Sequence, residues 1–163
     1  WSSRSCSSRC RRLPTGSGVI FRHYALAPRH RRRLFGQVRH ICVQRGHILM
    51  LAGDARTARA WGEDGAHGRS VDVKPLLQSQ PVHLLREIAQ ARRRRVDIMF
   101  VSPLRNTRSH PDGRALGPTA FHRLARLCRP AWVVALGGMN RAEAAKWSRN
   151  IIHGWAAIDA FRR

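Results

Sequence analysis

VDIMFVSP (Val96–Pro103) and AWVVALGGMNRAEA (Ala131–Ala144) decide the fold. Each holds a short apolar run, Ile98–Val101 and Ala131–Leu136, that ends in turn formers, the pattern of a strand buried on both faces. Between them Phe121, Leu124, Leu127 and Cys128 recur at helical spacing on one face. Strand, helix, strand is a βαβ unit, and such units build parallel sheets.

The same alternation extends outward. Downstream, Asn140 with Glu143 three residues later predicts an N-cap and capping-box pair for a helix. A last short strand is expected over Trp155–Asp159. Upstream, a helix over His83–Arg95 is expected to turn Leu84, Leu85, Ile88 and Ala89 inward, and Arg92–Arg95 suit the negative end of its dipole. Strands are expected over 76–83, in GAHGR (Gly65–Arg69), in HILMLAG (His47–Gly53) and in GVIFRHY (Gly18–Tyr24). Asp54 can cap a short helix running to Trp61. Residues 31–45 set Leu34, Phe35, Val38, Ile41 and Cys42 on one helical stripe.

These are seven strand candidates alternating with helices. A (β/α)8 barrel needs eight, and about 200 or more residues. The expectation is therefore an α/β chain: a (β/α)8 TIM barrel lacking its first βα unit, or an open parallel sheet. Residues 18–163 would form that domain. Residues 1–17, WSSRSCSSRCRRLPTGS, stand apart: the first twelve are one Trp, five Ser, four Arg and two Cys. With no apolar period they are expected to stay outside the packed chain. No apolar stretch follows the charges as a secretory signal requires. The Arg/Ser bias without acids resembles a transit peptide, and a truncated or misread chain start accounts for it equally.

Composition bounds the function. Lys+Arg 31 against Asp+Glu 9 gives +22, and all but Lys74 and Lys146 of the bases are arginine. Such a balance points to anionic partners. Nucleic-acid binding is the weaker form of that expectation, because arginines occur in every segment and aromatics are only 7%. Arginine in such excess also arises from GC-rich coding with no function attached. No run of about 18 apolar residues exists, which excludes a membrane-spanning helix. Cys6, Cys10, Cys42 and Cys128 form no CxxC and no zinc-finger spacing, and Cys42 and Cys128 fall in apolar helical patterns. Without a disulfide framework a cytoplasmic location is expected.

In a parallel barrel chemistry gathers after the strands. The polar groups there are Arg22 and Tyr24, Asp54, His67 and Arg69, His83, the loop from Ser102 to Pro111, Gly137-Gly138, and Asp159. Gly137 and Gly138, before a capped helix, can let backbone N–H groups approach a phosphate, or they can be a plain strand–helix turn. Thr107, Arg108, Ser109 and His110, flanked by Arg105 and Arg114, suit phosphate oxygens.

Together the stretch VDIMFVSPLRNTRSHPDGRALGPTAFHRLA and AWVVALGGMNRAEA resembles the thiamine phosphate synthase / thiazole tautomerase family, with its Gly-Pro strand end, Thr-x-Thr-Lys-Pro-like loop and Ala-Ile-Gly-Gly strand. GEDGAHGR and GVIFRHY extend the likeness to about Gly16–Phe161. The resemblance implies a (β/α)8 transferase of thiamine biosynthesis that couples hydroxymethylpyrimidine diphosphate to thiazole phosphate and releases pyrophosphate, with Mg²⁺ as cofactor. It implies Arg22 and His110 at the diphosphate, and Thr107, Ser109, Gly137 and Gly138 at the phosphates. Asp54 and Asp72 would hold the metal. Leaving-group charge would be offset by Mg²⁺, Arg22 and His110, with no protein nucleophile. The expected partners are those small phosphorylated metabolites, without a membrane. The match departs at Ile20 and Tyr24 for Gln and Lys, at Ala52-Gly53 for Asn-Asp, at His110 for Lys and at Asp159 for Ser. A tautomerase-like enzyme and a non-catalytic phosphate-binding barrel remain the alternatives, although Ser102-Pro103 stands where the tautomerase branch has Gly-His.

Overall fold

Apolar runs of four to six residues leave room for one short strand each, and amphipathic stretches between them supply helices. In the computed structural model, which describes residues 3–69, 74–106 and 115–157, the two alternate except between the third and fourth strands, where no helix is described. The chain divides into two compact units, Trp1–Leu77 and Gln78–Arg163.

The first unit holds α1 (Ser3–Arg12), β1 (Gly18–Phe21), α2 (Pro28–Arg45), β2 (Ile48–Ala52), α3 (Ala55–Trp61) and β3 (Gly65–His67). β2 lies between β1 and β3, parallel to both, with Gly18 opposite Ile48 and Met50 opposite Gly65. Gly46 in the left-handed conformation ends α2, as Gly62 ends α3. The stripe read from the sequence is buried: Leu34, Phe35, Val38, Ile41 and Cys42 pack with Phe21, Leu49 and Leu51. Phe35 meets Phe21 edge-on, with ring centres 5.2 Å apart, and leans on Trp61 at 4.7 Å.

The second unit holds β4 (Leu77–Val82, whose first residue belongs to the other unit), α4 (Leu85–Arg93), β5 (Ile98–Val101) and α5 (Gly117–Leu127). It ends with β6 (Trp132–Leu136), α6 (Arg141–Ala144) and β7 (Gly154–Ala156). β4 to β7 pair in chain order, all parallel. Phe121, Met99, Val101, Val133 and Cys128 centre its core.

A repeated device starts the strands. Asp64, just before β3, accepts the Leu49 N–H of β2 at 2.7 Å. Asp97, just before β5, accepts the Gln78 N–H of β4 at 2.8 Å, and His153 Nδ1 accepts the Val133 N–H of β6 at 3.0 Å. Each satisfies a strand-end donor that the parallel ladder leaves open.

The parallel α/β architecture agrees with the sequence reading. An eighth strand and closure into a barrel are not found among the described residues. Three expectations are corrected. Ser3–Arg12, read as lying outside the packed chain, is helix α1, and Cys10 in it is buried in the first core. Cys6 and Cys10, one helical turn apart, act as small apolar residues and supply the stripe the other types lack. In α4 the buried face is Glu87, Ile88 and Ala91, while Leu84 and Leu85 are exposed. Glu87 turns inward because its Oε2 accepts the His83 N–H at 2.7 Å. In α5 Ala125 is buried where Leu127 was expected, and Leu127 is exposed. No described helix is long and apolar enough to cross a membrane.

Candidate functional site

In the first unit one side chain ties the strand ends together. Arg31, in the first turn of α2, donates from Nη2 to the Ala52 carbonyl at 2.8 Å and to the Arg22 carbonyl at 3.3 Å. Its guanidinium lies 5.4 Å from the Trp61 ring centre and 5.6 Å from that of Tyr24. Arg31 thus fixes the chain after β1 and β2, a role the sequence hid inside a run of bases. Arg22, exposed after β1, lies over Tyr24 at 5.7 Å. Burial first and the Arg22 charge second pull His67, at the end of β3, down to a pKa of about 4. His67 is therefore neutral at pH 7.

Asp54 follows β2 as expected, but its carboxylate is engaged. Oδ1 accepts the Thr57 N–H and Oδ2 the Thr57 hydroxyl, both at 2.8 Å. Those bonds, led by the Thr57 N–H, hold its pKa below the ordinary carboxylate value. Its observed role is the N-cap of α3.

In the second unit His83, Ser102 and Gly137 follow three adjacent strands, β4, β5 and β6. His83 Nδ1 lies 2.8 Å from the Ser102 carbonyl, which can only accept, so Nδ1 carries a proton. After β6, Gly137 and Gly138 take φ of +99° and +66°. A Cβ on Gly137 would stand 2.9 Å from Pro103 Cα, and one on Gly138 2.9 Å from Arg105 Cβ. The close approach of the chain after β5 therefore accounts for both glycines. The backbone donors are a separate matter: the N–H groups of Gly137, Gly138 and Met139 meet no acceptor among the described residues. Consecutive donors in a left-handed turn form a nest suited to phosphate.

Thr107, Ser109, His110, Asp72 and Asp159 lie outside the described residues. Among the described residues no three His, Cys, Asp or Glu side chains are grouped to hold a metal ion. Asp54, already bonded at both oxygens, does not make a magnesium site by itself.

The comparisons with known proteins bear on what this nest serves. The family model described as thiamine monophosphate synthase matches residues 11–161. The chain belongs to the thiamine monophosphate synthase family. No curated protein sequence matches it. Among solved structures it is similar to thiamine phosphate pyrophosphorylase from Pyrococcus furiosus, with a TM-score of 0.80 and 18% identity over 98% of this chain and 80% of the other. It is also similar to the 2-keto-3-deoxy-6-phosphogluconate aldolase of Zymomonas mobilis, determined with 3-phosphoglycerate, at a TM-score of 0.59 and 10% identity over 95% and 86% of the two chains. At these identities the structural likeness is one of fold.

Proposed function

We propose that the chain is a thiamine phosphate synthase, joining a hydroxymethylpyrimidine diphosphate to a thiazole phosphate and releasing pyrophosphate. The observation that carries the reading is the turn after β6. In a member of this family, three consecutive backbone donors with no acceptor among the described residues stand where the fold is expected to take a phosphate. The donors bind and orient the thiazole phosphate; no protein nucleophile is required. The bond from the pyrimidine methylene to the diphosphate oxygen breaks, the bond from methylene to thiazole forms, and pyrophosphate carries off the electron pair. Arg22 and His110 are assigned to the departing charge, Thr107 and Ser109 to phosphate oxygens, and the proposed setting is a barrel in the cytoplasm. Mg²⁺, with Asp54 and Asp72 as its carboxylates, belongs to the proposal through the family alone.

Isothermal calorimetry with thiazole phosphate tests the reading. Saturable binding at one site, competed by inorganic phosphate, is the expected result. No binding at millimolar ligand would overturn it. A second reading, a phosphate-binding member without turnover, is favoured by one observation: Asp54 is spent on capping α3.

A further inference from the structure

The β6 turn is held from outside by a side-chain pair that the family likeness does not supply. The segment Pro103–Asn106 crosses the turn: the Leu104 N–H donates to the Leu136 carbonyl at 3.0 Å and the Arg105 N–H to the Gly137 carbonyl at 3.3 Å. The stem of Arg105 then covers Gly138 at the distance a Cβ there would violate. Beyond the stem, Arg105 Nε and Nη2 both reach Glu143 Oε2 at 2.8 Å. The other oxygen of Glu143 accepts from Lys146 Nζ. Lys146 first and Arg105 second hold the Glu143 carboxyl below its ordinary pKa. Glu143 itself is fixed at the start of α6, where its N–H bonds Asn140 Oδ1 at 2.9 Å.

This pair is poor at stabilising the chain. Arg105 is 51% exposed in its side chain, and exposed ion pairs contribute little to folding. Its geometry is suited to something else. It closes a ring from β5 through the Arg105 stem to α6, and the turn with the three open N–H donors lies inside that ring. We propose that Arg105 and Glu143 are positioning residues, a clasp that fixes the Gly137–Met139 donors in the arrangement that receives phosphate. The inference rests on the function proposed above and adds to it two residues that touch no reacting atom.

Charge and position give opposite signs for one variant. Glu143→Gln removes a negative charge close to the turn. If the site attracts phosphate by net charge alone, the ligand should bind tighter. If Glu143 holds Arg105 in place, the ligand should bind more weakly. Binding of thiazole phosphate is measured by calorimetry on the full chain. Glu143→Gln and Arg105→Ala should each raise Kd by about five- to tenfold, on the order of one net hydrogen bond. Arg105→Lys, which keeps the stem and one donor, should fall between Arg105→Ala and wild type. The exchanged pair, Arg105→Glu with Glu143→Arg, should recover most of the loss. Arg123→Ala removes a cation from the cavity of ≈490 Å³ that Arg105 and Glu143 also line, without breaking the clasp, and should stay near wild type. In turnover, KM for thiazole phosphate should rise while kcat stays. Tighter or unchanged binding by Glu143→Gln, or an equal loss in Arg123→Ala, overturns the clasp while leaving the proposed function standing. Failure of the wild-type chain to bind thiazole phosphate overturns both.

Discussion

Glu63 carries a carboxyl out of water. Its side chain is 1% exposed, neither oxygen accepts a hydrogen bond, and the nearest cation, Arg39 Nε, is 3.9 Å away. Burial first, with Asp64 second, pushes its pKa up to about 8 from 4.5. A raised acid pKa favours the protonated folded state. That stability is complete below pH 4.5 and is lost as pH rises through 8. His67 works the other way at lower pH, so the two must be separated by comparison. The urea midpoint of the wild type minus that of Glu63→Gln should fall from pH 5 to pH 8 and then level off. A difference constant over that range would show that Glu63 is not buried as described. Asp54 offers a second test. Asp54→Ala should cost about 0.5–2 kcal/mol of stability through the lost cap, and Asp54→Asn far less. If Asp54 also serves the reaction, Asp54→Asn should fold normally and turn over slowly.

At the level of elements, apolar runs announced β1, β2, β5 and β6, whereas β4 buries Gln78, Ser79 and Gln80 where an apolar run would be expected. The ends and faces of the helices were harder. Leu84 and Leu85 look inward by hydrophobicity, yet α4 begins at Leu85 and Glu87 is drawn inside to accept the His83 N–H. Leu127 lost its place to the smaller Ala125, a choice made by packing and not by period. The Asn140–Glu143 pair was legible as a cap, but only half of the box exists: Asn140 caps, and Glu143 pairs with Arg105 and Lys146. Nothing in the sequence separates Arg31 or Arg105 from the other arginines, since their roles come from what the chain brings beside them. The strand-start carboxylates make an element-scale test. Asp97→Ala leaves the Gln78 N–H without its acceptor and should cost about 1–3 kcal/mol, read from chemical unfolding. Gly65→Ala should also destabilise, by about 1–3 kcal/mol, because its Cβ would come within 2.5 Å of the Leu77 carbonyl oxygen. An unaltered midpoint in either variant would contradict the contact described at that residue.

Across the whole chain, parallel order and family were readable from the pattern of strands and from the two stretches around Ser102 and Gly137. The start of the chain was not, because its helix buries cysteines in place of the usual aliphatic residues. The site was legible in part: the β6 turn, Arg22 and Asp54 stand after the strands expected of them, but Asp54 acts as a cap and the glycines answer to their neighbours. The full chain is incubated with hydroxymethylpyrimidine diphosphate, thiazole phosphate and Mg²⁺, and thiamine phosphate and pyrophosphate are followed over time. The account expects both products to appear in equal amounts, at a rate lowered by Arg22→Ala. Thiazole phosphate that binds tightly while both substrates persist unchanged would contradict it and leave a phosphate-binding protein without synthase activity.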